Sequence, residues 1–261
     1  MSDVIAYTLF SGSKGNSSLI ATKNSQILID AGMGSRTIEK SLSMLGTSLA
    51  NITDIFVTHD HGDHTKGLES ICKKYDLTVH MTKASAEVIL NKAVSGELEE
   101  KTQVHPLLFE AQANDIFVSS FATSHDSRAS VGYVIKTPTH SIGYATDMGC
   151  VTDAVRKNLC GVDSVILEAN HDITMLNEGP YPDVLKKRIL SRFGHLSNDD
   201  AAEFAAYLAE NGTKNFLLAH LSEQNNDPVE AFSSVYCALG DIKKRNISLA
   251  VADPCLPTRL I

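Results

Sequence analysis

The sequence has no Cys-x-x-Cys pair. Its five cysteines, Cys72, Cys150, Cys160, Cys237 and Cys255, are odd in number and widely spaced. A disulfide framework is not expected, and a reducing compartment fits better. The first residues lack a basic stretch followed by an apolar run, so no secretory signal is expected. No apolar segment approaches the roughly 20 residues of a membrane span. A cytoplasmic protein with no membrane partner is the expectation. Glycine and proline are modest, 16 and 7 of 261 residues, and 43% of the chain is hydrophobic, which excludes collagen-like and disordered classes. There is no basic excess either: 23 Lys and Arg stand against 31 Asp and Glu, a net charge of −8. That excludes coating nucleic acid by bulk charge but leaves room for a local basic patch. The chain is long enough for a substantial core, and one domain over residues 1–261 is expected.

Apolar runs and turn residues predict strands at 4–10, 17–23, 26–30, 53–58, 103–108, 115–121, 131–136, 141–145, 215–219 and 247–251. Helices are predicted at about 35–45, 65–75, 83–92 and 152–159. Two later helices have clearer starts. Ser197-Asn198-Asp199-Asp200 resembles a capping box, and Ala201, Phe204, Ala205 and Leu208 then share one face. Asp227-Pro228 opens another helix, with Gly240 as its stop. Both halves show strands first and strand–helix alternation after. An α/β four-layer αββα sandwich accommodates this without being forced by it.

Histidine is unusually placed. Of ten, His59, His61 and His64 fall within six positions, in a Thr58–His64 loop that follows an apolar strand. Neutral imidazoles are common ligands for zinc and related metals, and Asp63 adds an oxygen donor. Four such groups in six residues are too many for one ion that stays open to substrate. They suit two ions side by side, each completed from elsewhere.

His59-x-His61-x-Asp63-His64 resembles the signature of the metallo-β-lactamase superfamily, and further elements follow in that family's order. Asp30 ends a strand, His125 sits in Thr123-Ser124-His125-Asp126, Asp147 follows Tyr144-Ala145-Thr146, and His220 follows Leu217-Leu218-Ala219. The resemblance implies one metal site at His59, His61 and His125, a second at Asp63, His64 and His220, and Asp147 bridging both. Asp30 would hold the histidine loop by hydrogen bonds. Two dications about 3.5–4 Å apart can bind one hydroxide between them and make it a nucleophile. Zinc or manganese fits the donor set, and iron is a further option.

Within the superfamily, His61 disfavours the flavo-diiron branch, which usually has Glu there. The absence of an export signal disfavours the lactamases themselves. The interval from Asp147 to His220 is too short for the large cap of one nuclease branch. Leu167-Glu168-Ala169-Asn170 and Gly194-His195-Leu196-Ser197 resemble ribonuclease Z motifs. Glu168 can accept from His195 and favour its imidazolium, which suits proton donation to a leaving oxygen. The helix start after His195 opposes the cation but favours a bound phosphate. A simple structural Glu–His bond is the alternative.

Overall the chain is most similar to the WalJ/YycJ group, through Ser11–Ser17, Thr58–His64, Ser124–Asp126, Leu167–Asp172, Gly194–Asn198 and Leu218–Ser222. The resemblance implies a 5′ to 3′ DNA exonuclease using a hydroxide held by two ions, with links to cell-wall regulatory loci and DNA repair. Asp63, His195 and Glu168 would carry the catalysis. The alternatives are a small-molecule or cyclic phosphodiesterase and a non-catalytic regulatory protein; the complete ligand set argues against the latter. One departure is Ser127–Tyr133, which lacks the proline of a Pro-Val-Gly-Tyr run and leaves that loop less fixed.

Other residues carry two readings. Lys186, Lys187, Arg188 and Arg192 could hold a phosphate backbone or simply be solvated. Gly12, Gly15 and Asn16 could cradle a phosphate or form a hairpin turn. Lys243-Lys244-Arg245 reads as a charged turn. Tyr181, between Pro180 and Pro182, could stack on a base or pack internally. His171 could line the cleft. His80, His105 and His140 fit no ligand spacing, and Cys150 reads as a small buried thiol.

Overall fold

The computed structural model describes residues 4–261. Its first sheet begins with an antiparallel meander, β1 (Val4–Phe10), β2 (Ser17–Thr22) and β3 (Gln26–Ile29), and continues in parallel through β4 (Asp54–Phe56), β5 (Thr78–Thr82) and β6 (Thr102–His105). The second repeats the plan. β7 (Glu110–Ala113), β8 (Ile116–Ala122), β9 (Val131–Lys136) and β10 (Ser141–Ala145) are antiparallel. β11 (Ser164–Glu168), β12 (Asn215–Ala219) and β13 (Ser248–Val251) then add in parallel. β14 (Thr258–Arg259) returns to the first sheet beside β1, so each sheet has seven strands.

Three apolar clusters make the layers. Ala6, Ile20, Ile29, Phe56, Tyr133, Ile166 and Leu217 fill the space between the sheets. Leu28, Ile55 and Val79 pack outward on Ile38, Leu42 and Ile71, from helices over the first sheet. Val165, Leu167 and Leu218 pack on Leu159, Phe204 and Val235, from helices over the second. The parallel strands are thus covered on both faces, which is why QILI, DIF and SVILE read as continuous apolar runs. This is the αββα sandwich.

Several local expectations shift. No strand was expected at 164–168, because SVILE is buried throughout and its lack of alternation does not separate strand from buried helix. β7 is a polar edge strand without an apolar pattern to mark it. The helix expected at 65–75 is two short pieces, Gly62–Thr65 and Leu68–Cys72. They part at Gly67, whose N–H donates to Ala31 O at 2.7 Å and which has no room for a Cβ against the Met33 carbonyl. Residues 242–245 form a short helix rather than a turn. Ser197 caps the helix Asn198–Glu210 through Asp200 N–H, but its hydroxyl, not its backbone N–H, donates to the Asp200 carboxylate at 2.7 Å. Cys150 is half-buried rather than buried.

Candidate metal centre

Parallel strands end at one edge of each sheet, and ligands gather beyond such carboxyl ends. β3 delivers Asp30, β4 the histidine loop, β10 Asp147, β11 Glu168 and β12 His220. Antiparallel β8 runs to the same place and delivers His125. The chain turns sharply after three of these strands. Asp30, Asp147 and His220 have φ of 61°, 56° and 59°, the left-handed region, which costs a non-glycine residue about 1–2 kcal/mol. Neighbouring bonds hold them there. Ser17 Oγ donates to Asp30 O at 2.9 Å, and His220 N donates to Ser11 Oγ at 2.7 Å.

Asp30 is fully buried and organises the histidine loop. Its Oδ1 accepts from Thr58 N at 2.8 Å, and its Oδ2 from Thr58 Oγ1 at 2.8 Å and His64 Nδ1 at 2.7 Å. His125 Nδ1 donates to Gly194 O at 3.0 Å, and His220 Nδ1 to Glu168 Oε1 at 3.1 Å. In all three imidazoles an acceptor takes the Nδ1 proton, so Nε2 is the nitrogen left to ligate, as in histidines that bind metals. His59 Nε2, His220 Nε2 and Asp147 Oδ2 are buried and have no hydrogen-bond partner among the described residues.

The donor atoms group as His59, His61 and His125; Asp63, His64 and His220; His59, His64 and Asp147; and Asp147, Glu168, His195 and His220. Within each group they lie within 4.8 Å of one another. His64 Nε2 stands 3.3 Å from Asp147 Oδ2 and 3.4 Å from Asp63 Oδ2, and His220 Nε2 stands 3.5 Å from Asp147 Oδ1. Ligand atoms that share one tetrahedral cation are about 3.4 Å apart. Nitrogen and oxygen donors at that spacing, with His59 Nε2, His220 Nε2 and Asp147 Oδ2 among them buried and without partners among the described residues, fit divalent cations. Asp147 lies between the two histidine groups, the position a bridging carboxylate needs. Burial opposes its ionisation, but His220, His64, His59 and His125 around it hold it well below the usual carboxylate range.

His195 stands beside this cluster and donates from Nδ1 to Glu168 Oε1 at 2.8 Å. Glu168 is more heavily used than its motif suggested. The same oxygen takes His220, and Oε2 accepts from Met148 N at 2.8 Å and Leu196 N at 3.3 Å. Burial would raise its pKa, yet His195 and His220 lower it to about 2, so it is a carboxylate at neutral pH.

The basic residues separate. Arg188, on the helix Asp183–Ile189, pairs through Nε with Asp126, next to His125. Lys186 Nζ turns to the Asn177 carbonyl at 2.6 Å, Lys187 is exposed, and exposed Arg192 contributes its carbonyl to Ser124 Oγ at 2.5 Å. The Ser11–Asn16 segment is a turn with its amides committed. Gly12 N donates to Asn16 Oδ1, Gly15 N to Gly12 O and Asn16 N to Asp63 O. These N–H groups are not free to cradle a phosphate. Instead Asn16 Nδ2 reaches Asp63 Oδ2 at 3.2 Å and His64 Nε2 at 3.0 Å, a link that only the Ser11–Ser17 motif hinted at. Asn170, given no role of its own within the Leu167–Asn170 motif, donates from Nδ2 to His220 O at 2.8 Å. The loop after His125 is tied down without its proline: Arg128 N donates to Asp60, Ser85 Oγ to Ala129 O and Thr123 Oγ1 to Ser130 Oγ.

Of the other histidines, His80, His105 and His140 are elsewhere. His80 bridges Asp54 at 2.9 Å and His105 at 3.0 Å, and His140 bonds Ser164 at 2.7 Å. His171 is buried with neither ring nitrogen partnered among the described residues. No helix among the described residues is long and apolar enough to cross a membrane.

Residues 25–221 match the Beta-lactamase superfamily domain. The chain is 32% identical over 258 residues to the exodeoxyribonuclease YycJ of Bacillus anthracis, covering 97% of this chain and 96% of that protein. It is 34% identical over 222 residues to the exodeoxyribonuclease WalJ of Streptococcus pneumoniae, 84% of this chain and 81% of that one. In fold it is similar to the metallo-β-lactamase fold protein YhfI of Bacillus subtilis, with a TM-score of 0.72 over 98% of this chain and 99% of that one at 16% identity. Relatives this similar over nearly the whole length, around donors so arranged, leave one assignment: the chain belongs to the metallo-β-lactamase superfamily.

Proposed function

We propose that this protein is a metal-dependent exodeoxyribonuclease that removes nucleotides from the 5′ end of DNA. The observation that carries the reading is the convergence of buried, unpartnered His59 Nε2, His220 Nε2 and Asp147 Oδ2 beside the His195–Glu168 pair. Its similarity to YycJ and WalJ supports DNA as the substrate. His59, His61 and His125 would hold one cation, Asp63, His64 and His220 a second, with Asp147 between them. Bound there, divalent cations supply a water nucleophile near neutral pH and neutralise charge on the reacting phosphate. Imidazole donors suit zinc, and the carboxylates admit manganese or iron.

The chain's own groups do the rest. Asp30 and Thr58 fix the histidine loop, so its donors need no reorganisation. Glu168 holds the His195 ring by Nδ1. His195 Nε2 has no partner among the described residues and is the proton donor to the leaving oxygen. Arg188, beside Asp126, contributes a charge for the DNA backbone.

The test is a substrate panel with metal-reconstituted protein: duplex and single-stranded DNA labelled at either end, RNA, and bis-p-nitrophenyl phosphate. Early release of the 5′ label from DNA is expected. Early release of the 3′ label, or RNA cleaved in preference to DNA, overturns the reading, and cleavage of the small ester alone supports a small-molecule phosphodiesterase.

A further inference from the structure

A cleft of about 170 Å³ opens beside the histidine cluster. Tyr181, Leu185 and Ile189 give it an apolar wall, His195 and His220 line it as well, and Arg188 lies along it. We propose that this cleft holds the terminal nucleoside of a nucleic-acid strand, its base stacked on Tyr181, and so admits one nucleotide at a time to the reacting groups. The proposal rests on the nuclease reading and deepens it by naming what the site grips.

Size comes first. Pockets for drug-sized ligands start at about 300 Å³. A cleft of about 170 Å³ takes one base with its sugar edge and leaves no room for a dinucleotide. The wall comes second. Tyr181 sits between Pro180 and Pro182, whose rings restrict the backbone on both sides, so the aromatic ring is presented at little entropic cost. It is half-buried, and its hydroxyl has no partner among the described residues. Leu185 and Ile189 are one turn apart on the same helix and continue the apolar surface.

Charge comes third. Arg188 engages Asp126 through Nε, while neither of its Nη groups has a partner among the described residues, and its side chain is 57% exposed. An arginine held at one end and open at the other suits a phosphate next to the stacked base. The arrangement also answers how a chain of net charge −8 holds a polyanion. Stacking grips every base through its face and needs no positive field.

The test compares equilibrium binding of 2′-deoxyadenosine 5′-monophosphate and 2-deoxyribose 5-phosphate by calorimetry. The wild-type chain should bind the nucleotide on the order of tenfold more tightly than the sugar phosphate, because only the former can stack. Tyr181→Ala should abolish the preference, and Tyr181→Phe, which keeps the ring, should retain it. Circular dichroism shows whether each variant is folded. Equal binding of the two probes by wild type, or a preference that survives Tyr181→Ala, overturns the proposal. So does DNA digestion whose first products are dinucleotides or longer. A protein that prefers the nucleotide yet leaves all DNA intact retains the pocket and sinks the nuclease reading instead.

Discussion

Glu168 Oε1 accepts from two histidines, His195 at 2.8 Å and His220 at 3.1 Å, and so joins the proposed proton donor to a candidate metal ligand. The two substitutions at this pair should therefore differ in kind. His195→Ala should lower kcat on DNA by roughly 10²–10⁴-fold with metal content unchanged. A nitrophenyl ester, whose leaving group needs little protonation, should lose far less. An equal defect on both substrates would make His195 a phosphate-positioning residue. Glu168→Gln should give a smaller kcat defect but also weaken metal affinity by roughly 10–100-fold, read by competition with a chelator. Unchanged affinity would show that the Glu168–His220 contact does not support the ligand. Protons must also leave these histidines before a cation binds. Burial opposes charge on His220, but Asp147, Asp63 and Glu168 raise its pKa to about 10. Burial likewise opposes charge on His64, yet Asp147, Asp30 and Asp63 raise it well above the usual imidazole range. Since the raised groups hold protons at neutral pH, metal affinity should fall as the pH drops below about 10, with protons released on uptake. Calorimetry in buffers of different ionisation heat reads the release, and none would contradict this protonation.

The helix Asn198–Glu210 links local sequence to the site, because its cap, Ser197, lies two residues after His195. Ser197→Ala should cost about 1 kcal/mol in denaturant unfolding by freeing the Asp200 N–H. Phe204→Ala, within the outer cluster of the second sheet, should cost about 3–5 kcal/mol. If the cap variant loses nothing, a neighbouring group has replaced the hydroxyl. This helix was legible because capping chemistry and a 3.6-residue period agree. The candidate donors that the structure brings together, from His59 to His220, were legible for another reason: few residue types bind cations, so their order along the chain carries information. What organises those donors was less visible. Asn16 and Asn170 are amides, common everywhere, and their bonds to His64 and His220 span 48 and 50 residues. The Arg188–Asp126 pair joins residues 62 apart, which no local pattern marks. The break at Gly67 depends on the Met33 carbonyl lying against it, and β11 showed only apolar residues with no period.

Across the whole molecule, the charge of −8 and the scattering of the basic residues point to binding at few phosphates. Cleavage rates on DNA should show a shallow dependence on salt. Arg188→Glu should weaken cleavage more than Lys186→Glu, whose Nζ is committed to the Asn177 carbonyl at 2.6 Å. A steep salt slope, or equal effects of the two reversals, would move the DNA path elsewhere. The return of β14 to β1 reaches beyond the finished protein to its synthesis. β1 ends at Phe10 and its outer partner begins at Thr258, so at roughly 5–20 residues per second a ribosome needs roughly 12–50 s to make the second after the first. For that interval one edge of β1 has unpaired backbone groups that another strand can join. Translation speed and chaperone occupancy should therefore govern how much of this protein is recovered unaggregated, and slowing synthesis late in the message should lower that yield.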